Sequence, residues 1–233
     1  MDPNNLSRKM VAEVLGTMGL IIAVIGSVML VNYGFGGSAM HGTIFNVLVQ
    51  GIAAAFVLFA MIEALGKISG GHFNPAVTVA MIISKDISAK NGIFYILAQI
   101  AGGLLGAVIL LVTFMNGLAP DFALQSSALG DNIAFMAISE FICVFLLITI
   151  VFGCVRNGSK KTSLAVGAFV GGMIMCTAST FYANPAVDIA RIFTMADCQI
   201  SPLVAVIYII SAIAAAIVAA FILSWLFPKE EAA

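Results

Sequence analysis

The chain has 233 residues, 62% of them apolar and 9% charged, with a formal net charge of −1 and a mean hydropathy of +1.13. A water-soluble domain runs nearer to about 45–50% apolar and about 25% charged, so too few polar side chains remain to cover a solvated globule. This balance excludes a disordered chain, a fully solvated enzyme and a nucleic-acid binder, and leaves a polytopic protein of the lipid bilayer.

The charge-free stretches predict six spans, since a membrane helix needs roughly 20 mostly apolar residues. The first, 9–31, follows Arg8 and Lys9 and carries one early acid, Glu13, in MVAEVLGT. It is a full helix length with no small-residue cleavage site, so it is read as a span and not as a signal peptide. The others are 44–66, 91–115, 133–155 (with only Glu140), 162–180 and 203–227. Two further segments, 67–84 and 181–195, are too apolar for water-exposed loops and too short to span. Gly-Gly or Pro interrupts them, so each is predicted to be a re-entrant half-helix buried in protein or lining a wet cavity.

Basic residues orient the spans. Arg8, Lys9, Lys67, Lys85, Lys90, Arg156, Lys160, Lys161 and Lys229 fall on one side, leaving Arg191 on the other with Asp121, Asp131, Asp188 and Asp197. The positive-inside rule then makes both termini cytoplasmic, as an even number of spans requires. Short loops and tails point to a prokaryotic-type inner (plasma) membrane protein. The cysteines Cys143, Cys154, Cys176 and Cys198 form no Cys-x-x-Cys pair, hence neither a disulfide framework nor a zinc pattern. No metal or cofactor is expected.

The strongest pattern is internal. Asn74-Pro75-Ala76-Val77 recurs as Asn184-Pro185-Ala186-Val187, each after two spans and before a third. Each half also opens on a helix with one early acid, Glu13 or Glu140. Three spans per half is odd, so the halves (about 1–118 and 130–233 of a single 1–233 domain) have opposite topology, an inverted 3+3 repeat in an all-α membrane fold. Asn is a favoured N-cap and Pro at the first helical position loses no useful donor. Each half-helix therefore starts sharply, its positive dipole end aimed at the midplane, where it raises the energy of a cation. The Asn74 and Asn184 amides can donate to a neutral oxygen passing between them. The unwound stretches Gly70-Gly71-His72 and Thr180-Phe181-Tyr182 supply carbonyl acceptors. Such a path suits a neutral hydroxylic solute and disfavours ions.

SGGHFNPAVT, the second ANPAV, AEVLGT and LAQIAGGLLGA together resemble the aquaporin (major intrinsic protein) family over nearly the whole chain. The resemblance implies six helices plus two half-helices around a pore, a homotetramer, passive flow of water or small uncharged solutes, and no catalysis. Counting from the two Asn residues as the family does places the outer constriction at Ala54, Gly172, Phe181 and Val187. Gly172, Phe181 and Asp188 match the glycerol-conducting branch. Ala54 and Val187 depart from the usual aromatic residue and Arg, making the filter wider and more apolar, and Thr180 stands where the family commonly has Gly. Arg191, one turn beyond Val187, is a candidate fifth member that folds back into the filter. Its competing reading is an outer-surface pair with Asp188 or Asp197.

Other residues have plainer expectations. Glu13 and Glu140 are read as buried acceptors for the re-entrant loops, against a proton-relay alternative. Glu63 is expected to pair with Lys67, and His72 to hydrogen-bond within its loop as well as to line the pore. Gly102-x-x-x-Gly106 and Gly167-x-x-x-Gly171 are expected to allow close helix packing. The expected function is a passive channel for water and solutes such as glycerol. A water-selective channel is the alternative, and a secondary transporter the next, disfavoured because the two Asn are the only polar pair at the midplane. No nucleophile triad, HExxH or carboxylate pair supports a membrane enzyme.

Overall fold

Asn5 caps the first helix, its side chain accepting from the N–H groups of Ser7 and Arg8 at 3.0 and 3.4 Å, so α1 begins at Leu6 and runs to Met29. A computed structural model describes residues 5–31, 44–114, 133–194 and 199–229. Asp121, Asp131, Asp197 and Cys198 lie outside the described residues.

After α1 come α2 (Ile44–Ser69), α3 (Pro75–Ile83), α4 (Ala89–Phe114), α5 (Ile133–Arg156), α6 (Thr162–Cys176), α7 (Pro185–Ile192) and α8 (Pro202–Leu226). Helices α1, α2, α4, α5 and α8 are long and apolar enough to cross a membrane. Their outward faces are hydrophobic, with Phe56, Phe221 and Trp225 exposed by 69%, 67% and 80%. Apolar surface on this scale belongs against lipid.

The fifth predicted span differs from expectation. Helix α6 stops at Cys176, where Thr177 turns extended; its backbone N–H and its hydroxyl both bond the Met173 carbonyl, at 3.2 and 2.7 Å. Fifteen helical residues rise only about 22 Å, short of the roughly 30 Å hydrocarbon core. Residues 177–183 carry the chain onward as irregular backbone to the second half-helix, tolerated because the protein interior surrounds it.

The packing repeats between the halves. Helix α1 packs on α2 and α4, and α5 packs on α6 and α8; α3 packs on α4 and α8, and α7 on α8 and α4. Each half-helix thus rests against the third long helix of both halves, and α3 and α7 meet at the centre. Glycines let the long helices close up. A Cβ on Gly102 would stand 2.4 Å from the Val14 carbonyl oxygen, and one on Gly171 would stand 2.5 Å from that of Gly51. The two Gly-x-x-x-Gly spacings therefore seat α4 on α1 and α6 on α2.

Glu63 accepts from the Ser163 hydroxyl at 2.6 Å, joining α2 to α6 in place of the expected partner Lys67. Among the described residues the ion pairs converge instead on Asp86, in the turn after α3. Arg156 at the end of α5 meets it at 2.5 Å and Lys229, beyond α8, at 3.0 Å. Burial pushes the Asp86 carboxyl up, but the hydrogen bonds from Ser84, Lys229 and Arg156 outweigh it and hold the group below the usual carboxylate range.

Candidate functional site

Both Asn-Pro-Ala segments do what their chemistry dictates. Asn74 and Asn184 are extended (φ −155° and −158°), and each side-chain oxygen accepts from the N–H two residues on, at 2.8 Å from Ala76 and 3.0 Å from Ala186. The amide nitrogens reach across the repeat. Asn74 Nδ2 donates to the Ala183 carbonyl at 2.8 Å, and Asn184 Nδ2 donates to the Phe73 carbonyl at 2.9 Å. One N–H of each amide is thereby committed to structure and one remains to serve a solute.

The chain before each Asn follows a strained path. Gly70, Gly71 and Phe73 have φ of +96°, +64° and +47°; Thr180, Phe181 and Ala183 have +53°, +53° and +42°. Left-handed backbone turns successive peptide groups away from helical bonding and must be anchored elsewhere. The buried acids do this. Glu13 accepts from the backbone N–H of His72 and Phe73, from Ser69 Oγ and from Gln99 Nε2, at 3.1, 2.7, 2.5 and 2.6 Å. Glu140 accepts from the N–H groups of Tyr182 and Ala183 at 3.1 and 2.5 Å. A carboxylate at bilayer depth is costly, and these donors are its compensation. Gln99 and Thr78 were not foreseen. Gln99 Nε2 also donates to Thr78 Oγ1 at 2.9 Å, and Thr78 Oγ1 lies 3.1 Å from His72 Nδ1, fixing the imidazole. The signal was present: Thr78 stands four residues after Asn74, so it shares a helix face with the cap.

These elements enclose a cavity of about 340 Å³ running from Asp86 and Thr162 to Arg191. Its walls are one apolar stripe per helix at i, i+4 spacing: Leu20 and Val24, Leu58 and Ile62, Leu147, Val151 and Val155, Val166, Val170 and Ile174. Polar groups converge from Asn74, Asn184, His72, Tyr182 and the chain at Gly70 and Gly71. Apolar walls with a few placed polar groups form the usual anatomy of a small-molecule path.

Of the five filter candidates, Phe181, Val187 and Arg191 line the cavity; Ala54 and Gly172 do not. Ala54 is fully buried within α2, one turn before Leu58 and in line with the Leu58 and Ile62 stripe. On α6 the lining stripe is 166, 170, 174, and position 172 lies about 200° round the helix from 170; a Cβ there would meet nothing within 4 Å. Ile174 is the last cavity-lining position of α6. Thr180 is buried but off the wall, so of the six carbonyl-bearing candidates Gly70, Gly71, His72, Phe181 and Tyr182 are the cavity residues.

Arg191 is 4% exposed. Its Nη1 donates to Tyr182 Oη at 3.1 Å, and its guanidinium lies 4.2 Å from the centroid of the Tyr182 ring. A fixed positive charge on the wall opposes cation entry and offers donors to a neutral solute.

The profile of the family described as major intrinsic protein matches residues 2–190. An aquaglyceroporin of Rhizobium meliloti, AqpS, is 30% identical over 226 residues, 97% of this chain and 93% of its own. The probable aquaporin TIP5-1 of Arabidopsis thaliana is 30% identical over 181 residues, 76% of this chain and 68% of its own. Among solved structures, the aquaglyceroporin of Plasmodium falciparum superposes with a TM-score of 0.68 over 97% of both chains, at 21% identity, which is a likeness of fold.

Proposed function

The chain belongs to the major intrinsic protein family, and from that premise we propose that it is a passive transmembrane channel for water and small uncharged solutes such as glycerol. The observation that carries this reading is the cavity with apolar stripes on its walls and, where two half-helix N-termini meet, the Asn74 and Asn184 amides. A neutral hydroxylic solute trades its hydration for those donors and for loop carbonyls, while a cation meets two positive dipole ends and Arg191. The Asn-Pro-Ala residues Pro75, Ala76, Pro185 and Ala186 start the half-helices, Glu13 and Glu140 hold the loops, and Ile174, Phe181, Val187 and Arg191 form the wall that selects. No step of this function calls for catalysis.

The protein is a multi-pass membrane protein. Its basic residues support cytoplasmic termini in a plasma or inner membrane, and the repeated helix packing supports a single domain of two inverted halves, about 1–118 and 130–233. A homotetramer rests on family kinship.

Swelling of proteoliposomes under osmotic shock tests the function. Glycerol influx should not saturate, should have a low activation energy and should ignore ion gradients. Saturable, gradient-dependent uptake would instead establish a coupled transporter. Ile174 favours a second reading, a water-selective pore, because a branched side chain takes wall space that glycine would leave open. Water flux without glycerol flux decides for it.

A further inference from the structure

The inverted repeat sets up an internal comparison. Thr78 and Asp188 each stand four residues after the capping Asn, and His72 and Tyr182 each stand two before it. The tyrosines of the third long helices complete the match: Tyr95 packs edge-on to His72 and Tyr208 edge-on to Tyr182, both with centroids 5.3 Å apart. In the first half, the Thr78 hydroxyl bonds the pore-lining ring two residues before the cap. In the second half that position carries a carboxylate.

Asp188 is fully buried, and neither side-chain oxygen has a hydrogen-bond partner among the described residues. A desolvated carboxyl without donors is costly as an anion unless an opposite charge lies near it. The charged side chains in its surroundings are Glu140, of like sign, and Arg191, of opposite sign, neither of them hydrogen-bonded to its oxygens. Glu140 is already engaged by two backbone N–H groups. Arg191 lies three residues on along α7, a neighbouring position on the helix surface, and its guanidinium rests on Tyr182.

We propose that Asp188 is the buried counter-charge that keeps Arg191 on the pore wall, and so sets selectivity through Arg191 without touching the solute. The sequence Asp188–Arg191–Tyr182 does in the second half what Thr78–His72 does in the first. Removing the Asp188 charge leaves a guanidinium in a desolvated site with one less reason to stay. Its long side chain then turns toward outer water and the wall widens.

The inference rests on the reading of Arg191 as a selecting residue, and the test separates the two. Water, glycerol and potassium fluxes are measured in proteoliposomes for the unaltered protein, Arg191→Met, Asp188→Asn and the double variant. Arg191→Met should raise glycerol flux and admit potassium, and Asp188→Asn should reproduce both changes to within about twofold. In the Arg191→Met background, Asp188→Asn should then add nothing beyond the roughly 0.5 kcal/mol, about twofold, expected of uncoupled scatter. Asp188→Glu, which keeps the charge, should stay close to the unaltered protein. A leaking Arg191→Met beside a silent or fully additive Asp188→Asn overturns the counter-charge and spares the role of Arg191. A silent Arg191→Met overturns both. Should Asp188→Asn fail to assemble, the double variant must assemble better than the single; equal failure shows that Asp188 acts independently of Arg191 and ends the proposal.

Discussion

Asn74 and Asn184 hold each other's half-helix: each amide donates to the carbonyl of the residue that precedes the other Asn, at 2.8 and 2.9 Å. The two residues proposed to meet the solute are also the rivets between the halves. Tuning one for transport therefore perturbs the joint.

Replacing either Asn by Asp tests this double duty. The carboxylate keeps the capping oxygen and is welcomed by the dipole, but it cannot donate across the repeat. An orphaned buried carbonyl costs about 1–3 kcal/mol. Asn74→Asp and Asn184→Asp should each lower the melting temperature and admit potassium or protons. Thermal unfolding in lipid together with ion flux checks it; unchanged ion exclusion in both variants counts against their place at the selecting point.

Much of this was legible in the sequence because backbone chemistry leaves marks on it. Asn followed by Pro is a favoured helix start and recurs in both halves, so the half-helices and their caps could be read directly, as could the buried acids that each half repeats. What could not be read was rotation and length. Whether Gly172 or Ile174 faces the cavity depends on how α6 is rotated, which the close seating of Gly167 and Gly171 on α2 sets. Likewise Glu63 found Ser163 across a helix pair because tertiary packing brought a hydroxyl closer than the local Lys67.

Thr180 has φ of +53°, a conformation that a β-branched residue resists at a cost of about 1–2 kcal/mol. Glycine relieves that strain but adds about 0.5–1 kcal/mol of unfolded-state freedom. Thr180→Gly should accordingly stabilise the protein by about 1 kcal/mol or less, read as a higher melting temperature with unchanged water flux. A lower melting temperature would mean that the Thr180 side chain packs for more than its backbone strains.

At the other end of the cavity, Asp86 is held by Arg156 and Lys229 with its carboxyl below the usual range. A depressed native value means that the contribution is complete above the ordinary carboxylate value of about 3.9 and is lost as pH falls through the lowered one. Because the site is partly exposed, screening keeps it to about 1 kcal/mol or less. The stability difference between the unaltered protein and Asp86→Asn should be flat from neutral pH to about 4 and shrink below. High salt should reduce it throughout; a difference that grows in acid contradicts the ion-pair assignment.

The last prediction sets two neighbouring positions of α6 against each other. Ile174 continues the cavity stripe of Val166 and Val170 at four-residue steps. Gly172 is on the far side of the same helix, with open space where its Cβ would be. A bulky ring at 172 therefore projects away from the solute path, while trimming 174 removes wall directly. Gly172→His should leave both water and glycerol fluxes near their original values. Ile174→Gly deletes a whole branched side chain, enough to admit a polyol that the present wall slows, so glycerol flux should rise relative to water flux. Ile174→His, which replaces an apolar wall by a polar ring, should lower glycerol flux while sparing water. Stopped-flow light scattering on the three variants reads all of this in one experiment. Loss of glycerol flux in Gly172→His with an inert Ile174→Gly would rotate α6 and return the selecting position to 172.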